Sequence, residues 1–514
     1  MMARDDPAIM GWRLDHAILT HADSTPDKPA LQFDDTVISY ARLDRMVAGT
    51  AAWLAGQMKI GDRFACYSMN HPAYFVLLLA AARMGAIMVP LNWRLSPAEL
   101  GYQIKDCAPK MLIYGTEFAD MIDQLIAPDA DIITVSIEAL AQEAGHDNAP
   151  ELAAKNNFDN RNFNNDDFDR DLLIVYTSGT TGRPKGAVLS QRAMRSNAIM
   201  SHHAYDMRAD DVVLNVLPLF HVGGLNIQPV PALIIGATVI LEKTFDPAAT
   251  LHLIEQSGVT LMNSVPTILG ALCAHPHWPE TNLGSMRMFS IGSTDVPVAL
   301  INQVHQRGVR VVQIYGATET APSAIYQTAD IAFDTIGSIG RAGCDNTIRL
   351  VDDGGNDVEN GSVGEIWVKG DNVFTGYWQD DAATATAKTD GWFHTGDMAR
   401  RDDAGLYWFA DRVKHVIISG GENIYPAELE RVLAGHPGLV EFSIIGRDDD
   451  RWGQVPVVVA VRRDAALSKE DILQVFTPEI ARFKQPKDVI FLDYLPRNAL
   501  GKILVDEVAA LIST

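Results

Sequence analysis

The chain has 514 residues, a formal net charge of −23, 47% hydrophobic and 21% charged residues, which is more than one core usually serves and too apolar for disorder. That charge argues against a nucleic-acid or anionic-membrane surface, since either needs a positive field, so an anionic ligand must be met by local donors. Four cysteines (Cys66, Cys107, Cys273, Cys344) lie far apart without CxxC spacing, offering no zinc or disulfide framework and suiting a reducing compartment.

The opening MMARDDPAIMGWRLDH is acidic and mixed, without the basic-then-apolar order of a signal peptide, so a cytoplasmic location is expected. Segment 40–58 reads as an amphipathic helix, and short β-rich runs (RFACYSM, KMLIYG, ATVILEK) alternate with helical ones, the pattern of an α/β protein with largely parallel sheets. The most apolar stretch, 73–91, is broken by Arg83 and Pro90 and reads as a buried helix entering a strand rather than a membrane span. Segment 156–171 is rich in Asn and Asp and is expected to be an exposed loop.

It leads through the apolar run LLIVY into YTSGTTGRPKGAVLS, 176–190. A Walker loop, GxxxxGK[ST], does not fit: Pro184 stands where its second glycine belongs and Gly186 follows Lys185. The expectation is a different phosphate-binding loop, in which backbone N–H groups and the hydroxyls of Thr177, Ser178, Thr180 and Thr181 around Gly179 wrap anionic oxygens, with Lys185 as a mobile charge.

From 351 to 410 the texture turns to short strands between Gly and Asp turns, a β-rich subdomain. After Arg412 a new pattern begins, with a strand at HVIIS, a helix in AELERVLAGH, a strand in VPVVVAVR, a helix opened by Ser468 with Asp471 near the capping-box position, and a helix after Gly501. The expected boundary lies at 411–414.

Six motifs in order, YTSGTTGRPKG, LPLFHVGG (217–224), YGATET (315–320), GWFHTGD (391–397), DRVKHVIISGGENIYPAELE (411–430) and PRNALGKI (496–503), resemble the adenylate-forming superfamily of acyl-CoA synthetases, aryl-CoA ligases, luciferases and adenylation domains. The resemblance implies a fold with a large N-terminal domain of α/β sheets (1–411), its β-rich subdomain at about 345–411, and a small mobile α+β C-terminal domain (412–514). It implies attack of a carboxylate on the α-phosphate of ATP, release of pyrophosphate, then displacement of AMP by a thiol. It further implies that Lys502 bridges the carboxylate and α-phosphate, that Glu319 holds magnesium, and that Thr318 in the Gly316–Ala317–Thr318 run contacts the α-phosphate. Tyr315 would stack on adenine, Asp397 would accept from the ribose, and Arg412 would reach ribose or phosphate. At the adenine wall the family commonly shows Gly-Gly-Ala-Pro; here Gly292 keeps the close backbone approach, while Ser293, Thr294 and Asp295 are more polar.

The C-terminal domain is expected to swing about Lys414, taking Lys502 away and bringing Ser419, Gly420 and Gly421 to the site for CoA. His221 resembles the aromatic gate beside the carboxylate, at a place where amino-acid-activating relatives usually carry aspartate. Gly223 and Gly224 either leave room for a chain or ring or serve close helix packing, and Ala317 would line the same acyl site. Because VGGLNIQPVPALIIGA (222–237) holds no charge, an apolar lining is expected, with a fatty or otherwise hydrophobic acid first and an arylpropenoic acid second. The expected partners are ATP with Mg2+, CoA and a carboxylic acid, without nucleic acid or integral membrane contact, and with a homodimer as the candidate assembly. An adenylation enzyme loading a carrier protein, a luciferase-type oxygenase and a catalytically dead adenylate binder are the alternatives; no carrier domain is present up to Thr514.

Overall fold

A computed structural model describes residues 13–512 except 127–130, 145–167, 178–182, 294–295, 420–421, 450, 478–479, 483 and 499–501. Most of the Asn- and Asp-rich segment, the Ser178–Gly179–Thr180–Thr181 part of the phosphate loop, Thr294, Asp295, Gly420 and Gly421 therefore lie outside the described residues.

The expected α/β architecture is observed. One sheet has nine strands, in the order Arg341–Ala342, Ile325–Tyr326, Arg310–Tyr315, Met288–Gly292, Leu261–Ser264, Val212–Asn215, Thr238–Leu241, Pro29–Phe33 and Thr36–Ser39. Its six inner strands pair in parallel, and runs such as VVLN, TVIL and MFSI are apolar because helices cover both faces. A seven-stranded sheet runs Gly376–Tyr377, Lys185–Ser190, Asp171–Thr177, Ile87–Pro90, Arg63–Tyr67, Met111–Tyr114 and Ile133–Ser136.

The β-rich region forms an antiparallel five-stranded sheet from Asn346–Val351 to Tyr407–Arg412. A further five-stranded sheet is built from Ile417–Ser419, Glu422–Ile424, Leu439–Asp449, Gly453–Arg462 and Asp488–Phe491, with its own apolar core. There Ser468 caps Lys469–Val475 in a reciprocal capping box with Asp471.

Segment 73–91 folds as read: helix Ala73–Met84, every residue buried, ends at Gly85 (φ 82°) before strand Ile87–Pro90. No helix among the described residues is long and apolar enough to cross a membrane. Arg83 is tolerated inside because Asp15 receives its Nε at 2.9 Å and Asp44 its Nη2 at 2.7 Å. Arg83→Ala would leave both carboxylates without that charge, Asp15 being 2% exposed, and is expected to lower stability by about 3 kcal/mol, read as an earlier urea unfolding midpoint.

Candidate active site

In a parallel sheet, ligands meet the carboxyl ends of the strands, and the motif residues collect there. Gly292 and Tyr315 end the adjacent strands Met288–Gly292 and Arg310–Tyr315, where Gly292 pairs with Ile314. A Cβ on Gly292 would fall 2.4 Å from the Ile314 carbonyl oxygen, and one on Gly316 would fall 1.8 Å from that of Pro322. Both glycines are therefore needed by the backbone itself. Ser293 follows with φ 77°, a left-handed conformation that costs a residue with a Cβ about 1 kcal/mol and that glycine adopts freely.

Antiparallel pairing of Trp392–Arg401 with Tyr407–Arg412 puts Asp397 directly opposite Arg412. Tyr315 donates its hydroxyl to Asp397 Oδ2 at 2.9 Å, while Arg412 Nε stands 3.1 Å from Oδ1. That second contact lacks the alignment of a hydrogen bond, so Oδ1 is a buried acceptor without a donor, as a site for a ribose hydroxyl requires. Burial raises the Asp397 carboxyl above its ordinary value, offset by Arg412, Tyr315 and Lys502.

Lys502 acts on Asp397 from the far side of the chain. PRNALGKI closes on itself through an Arg497–Ile503 bridge and a bond from Lys502 N to Asn498 Oδ1 at 3.0 Å. The side chain keeps solvent contact, yet desolvation by the surrounding protein, followed by the Arg412 charge, pushes its ammonium down to about 8. Lys414 lies in a short 3-10 turn, Val413–His415, and pairs with Asp506 Oδ2 at 2.8 Å. Ser419 sits on Ile417–Ser419, opposite Gly453 and Glu422.

Glu319 lies in the 3-10 turn Thr318–Thr320 immediately beyond Tyr315. It is 9% exposed, and Tyr377 donates to its Oε1 at 2.8 Å. Burial raises the Glu319 carboxyl, which Tyr377 partly offsets. A buried carboxylate held by neutral donors, Tyr377 and its own backbone N–H, with Arg412 acting only at a distance, fits a divalent cation.

Tyr377 also carries Lys185, whose Nζ stands 5.2 Å from the ring centroid. Strand Gly376–Tyr377 pairs with Lys185–Ser190, and Lys185 pairs with Thr177. One tyrosine thus connects the phosphate-loop lysine to the acidic turn. Sequence reading missed it; the signal was FTGYW (374–378), just beyond GEIWVKG.

On the acyl side, His221 precedes helix Val222–Asn226, with Phe220 against it at 4.5 Å between ring centroids. Burial, then the Arg94 charge, pushes its imidazole down to about 4. It is neutral at working pH, with Nε2 buried and without a partner. The two glycines beside it differ. A Cβ on Gly224 would fall 2.2 Å from the Pro218 carbonyl oxygen, so Gly224 serves close packing and makes no room. Around Gly223 a Cβ would meet only Ile227 Cδ1, at 4.0 Å. Ala317 and Thr318 are half-buried between Gly316 and Glu319.

Residues 18–378 match the AMP-binding enzyme family and residues 428–502 match the AMP-binding enzyme C-terminal domain. The chain belongs to the AMP-binding enzyme family. It is an AMP-forming acid–thiol ligase of the adenylate-forming superfamily, with ATP, magnesium and CoA as its cofactors and co-substrates. It is 44% identical to the indoleacetate–CoA ligase of Aromatoleum aromaticum, covering 96% of this chain and 97% of that one. It is 39% identical to a feruloyl-CoA synthase of an Amycolatopsis species (95% and 96% covered) and 34% identical to a long-chain-fatty-acid–CoA ligase of Mycobacterium tuberculosis (91% and 92%). Its fold matches the o-succinylbenzoate CoA synthetase of Bacillus subtilis in complex with ATP and magnesium, with a TM-score of 0.84, 29% identity and 96% and 98% of the chains covered.

Tyr377→Phe removes one hydrogen bond to a charged group and keeps the ring under Lys185. It is expected to slow acyl-adenylate formation about 10-fold and to shift the magnesium concentration for half-maximal rate, both read by pyrophosphate release.

Proposed function

We propose that this ligase activates an aromatic carboxylic acid, first as acyl-AMP and then as the CoA thioester. The observation that carries the reading is the sequence likeness, which is higher to ligases named for indoleacetate and feruloyl groups than to one named for long-chain fatty acids. The state of His221 supports it: a neutral imidazole with pKa about 4 offers a flat wall and no counter-charge for an ammonium. A hydrophobic fatty acid is the second reading. Four cysteines without a disulfide fit a cytoplasmic setting.

In the first step a carboxylate must approach a triphosphate, so charge neutralisation and positioning dominate. Lys502 holds the carboxylate against the α-phosphate, and Thr318 contacts the same phosphate. Lys185, with Thr177 and the rest of its loop, takes the β and γ phosphates. Asp397 Oδ1 receives a ribose hydroxyl beside Arg412, Tyr315 packs on the adenine, and Gly292 with Ser293 forms its wall. Glu319 would hold the magnesium, which when bound screens phosphate charge. The C-terminal unit then turns about Lys414, withdrawing Lys502 and presenting Ser419 and its neighbours to CoA.

Lys502→Ala is expected to lose adenylation by about 10²-fold or more while sparing attack of CoA on supplied acyl-adenylate. Lys414→Pro should do the reverse, because fixing φ blocks the turn. Pyrophosphate release and thioester formation measured separately decide this; an equal fall of both steps in folded Lys502→Ala contradicts the two-state scheme.

The sign of the pH dependence follows from the lowered Lys502 pKa. Its ammonium is intact below about pH 8 and is lost as pH rises through that value. In the free enzyme, kcat/KM for adenylation should therefore be level below pH 8 and fall towards tenfold per unit above it. Lys502→Ala should lack this limb.

A further inference from the structure

Lys185 stands over the Tyr377 ring, and Tyr377 belongs to a strand of only two residues, Gly376–Tyr377, at the edge of the seven-stranded sheet. So short a pairing fixes an edge strand weakly. The residue that follows adds the hold. Trp378 N donates to Gly186 O at 2.7 Å, and its indole Nε1 donates at 3.3 Å to the carbonyl of Asp106, in the last turn of helix Pro97–Cys107. Successive side chains of an extended segment point to opposite faces. Tyr377 accordingly reaches Glu319 and Lys185, while Trp378 reaches the helix end.

The same helix end holds the other flank of the phosphate loop. Tyr176, directly before Thr177, donates its hydroxyl to Asp106 Oδ2 at 2.5 Å, and Thr177 pairs with Lys185. Arg63 fixes the helix end itself. Its Nε and Nη2 donate to the carbonyls of Cys107 and Ala108, each at 2.9 Å, and its guanidinium lies 5.1 Å from the Trp378 ring centroid. Gly186, directly after the lysine, allows the close approach, since a Cβ there would fall 2.7 Å from Ile174 Cγ2 and 3.3 Å from Trp378 Cβ.

Asp106 thus joins the two flanks, holding Tyr176 by its carboxylate and Trp378 by its carbonyl. A loop that wraps a triphosphate needs its ends at a set separation, and its lysine needs a set seat, because small misplacements cost rate steeply.

We propose that Tyr176 and Trp378, tied together through Asp106, are positioning residues for the first half-reaction and act through Tyr377 and Lys185. The proposal rests on the reading above that Lys185 takes the β and γ phosphates.

The test uses the full-length enzyme with MgATP and whichever of indol-3-ylacetate, ferulate and dodecanoate turns over fastest. Pyrophosphate release reads the first step, and attack of CoA on supplied acyl-adenylate reads the second. Tyr176→Phe removes only a hydroxyl, and Trp378→Phe keeps a ring while losing the indole N–H. Each is expected to lower kcat/KM for MgATP about 10-fold, chiefly through KM, and to leave the CoA step within about twofold of the parent enzyme. In a Lys185→Ala background, itself slower, the same changes should cost no more than about twofold, because residues that act through one another are not additive. Thermal melts report whether each variant is folded. An undiminished effect in Lys185→Ala, an equal loss in the CoA step, or parental kcat/KM in both variants overturns the positioning proposal and leaves the Lys185 reading standing. Lys185→Ala without effect on pyrophosphate release overturns both.

Discussion

A carboxylate and a polyphosphate repel each other, and this protein brings them together while carrying a net charge of −23. Every feature of the nucleotide end follows from that repulsion. The mean field of the protein is of the wrong sign, so positive charge is concentrated: Lys185 over Tyr377, Arg412 beside Asp397, and Lys502 acting on Asp397 from the C-terminal unit. Desolvation by the surrounding protein, followed by the Arg412 charge, pulls the Lys502 ammonium down to about 8. A group so poised is charged at neutral pH but held against its preference, which an arriving pair of anions relieves. In the scheme proposed above, the repulsion that makes the first step difficult also prepares the lysine for it.

The turn proposed about Lys414 requires contacts at the border of the C-terminal unit to be broken and remade. Lys414 pairs with Asp506 across water-exposed surface, their side chains 37% and 72% exposed, and such pairs are worth about 0–1 kcal/mol. Asp411 accepts from Ala427 N at 2.7 Å, serving the first turn of helix Pro426–Leu433 from outside that helix. Arg431 donates to the Phe409 carbonyl at 2.8 Å. Of these polar contacts the Asp411–Ala427 bond is buried and the other two are exposed, whereas the C-terminal sheet has an apolar cluster of its own. A unit with its own apolar core and polar contacts at its border fits the change of position that the proposed two-step scheme requires.

Local chemistry was legible in the sequence where a motif is read by adjacent residues. Strand ends, the Ser468 capping box, the buried helix with Arg83 and the glycine at 292 all follow from spacing and residue type. What was not legible depends on contacts made far along the chain. Asp15 and Asp44 explain Arg83 only once three helices are packed together. Tyr377 gains its place from a strand pairing that joins it to Lys185, nearly two hundred positions earlier. Gly223 and Gly224 are identical to a sequence reader, and only the Pro218 carbonyl separates the one that packs from the one that leaves space. Ser293 was visible as a departure from the usual glycine, but its cost appears only with φ at 77°.

The expectation of a hydrophobic acid rests on the absence of charge, and absence of charge is not absence of polarity. VGGLNIQPVPALIIGA has no ionisable residue, yet it contains Asn226 and Gln228, which are buried, one 1% and the other 0% exposed. An amide adds nothing to net charge and little to a hydrophobicity average, but when buried it must find partners or leave a specific vacancy for one. Asn263 and Ser290 come from separate strands, so no window of the sequence contains the network that turns Gln228 into an acceptor without a donor. Such a network is written in the direction of hydrogen bonds rather than in composition.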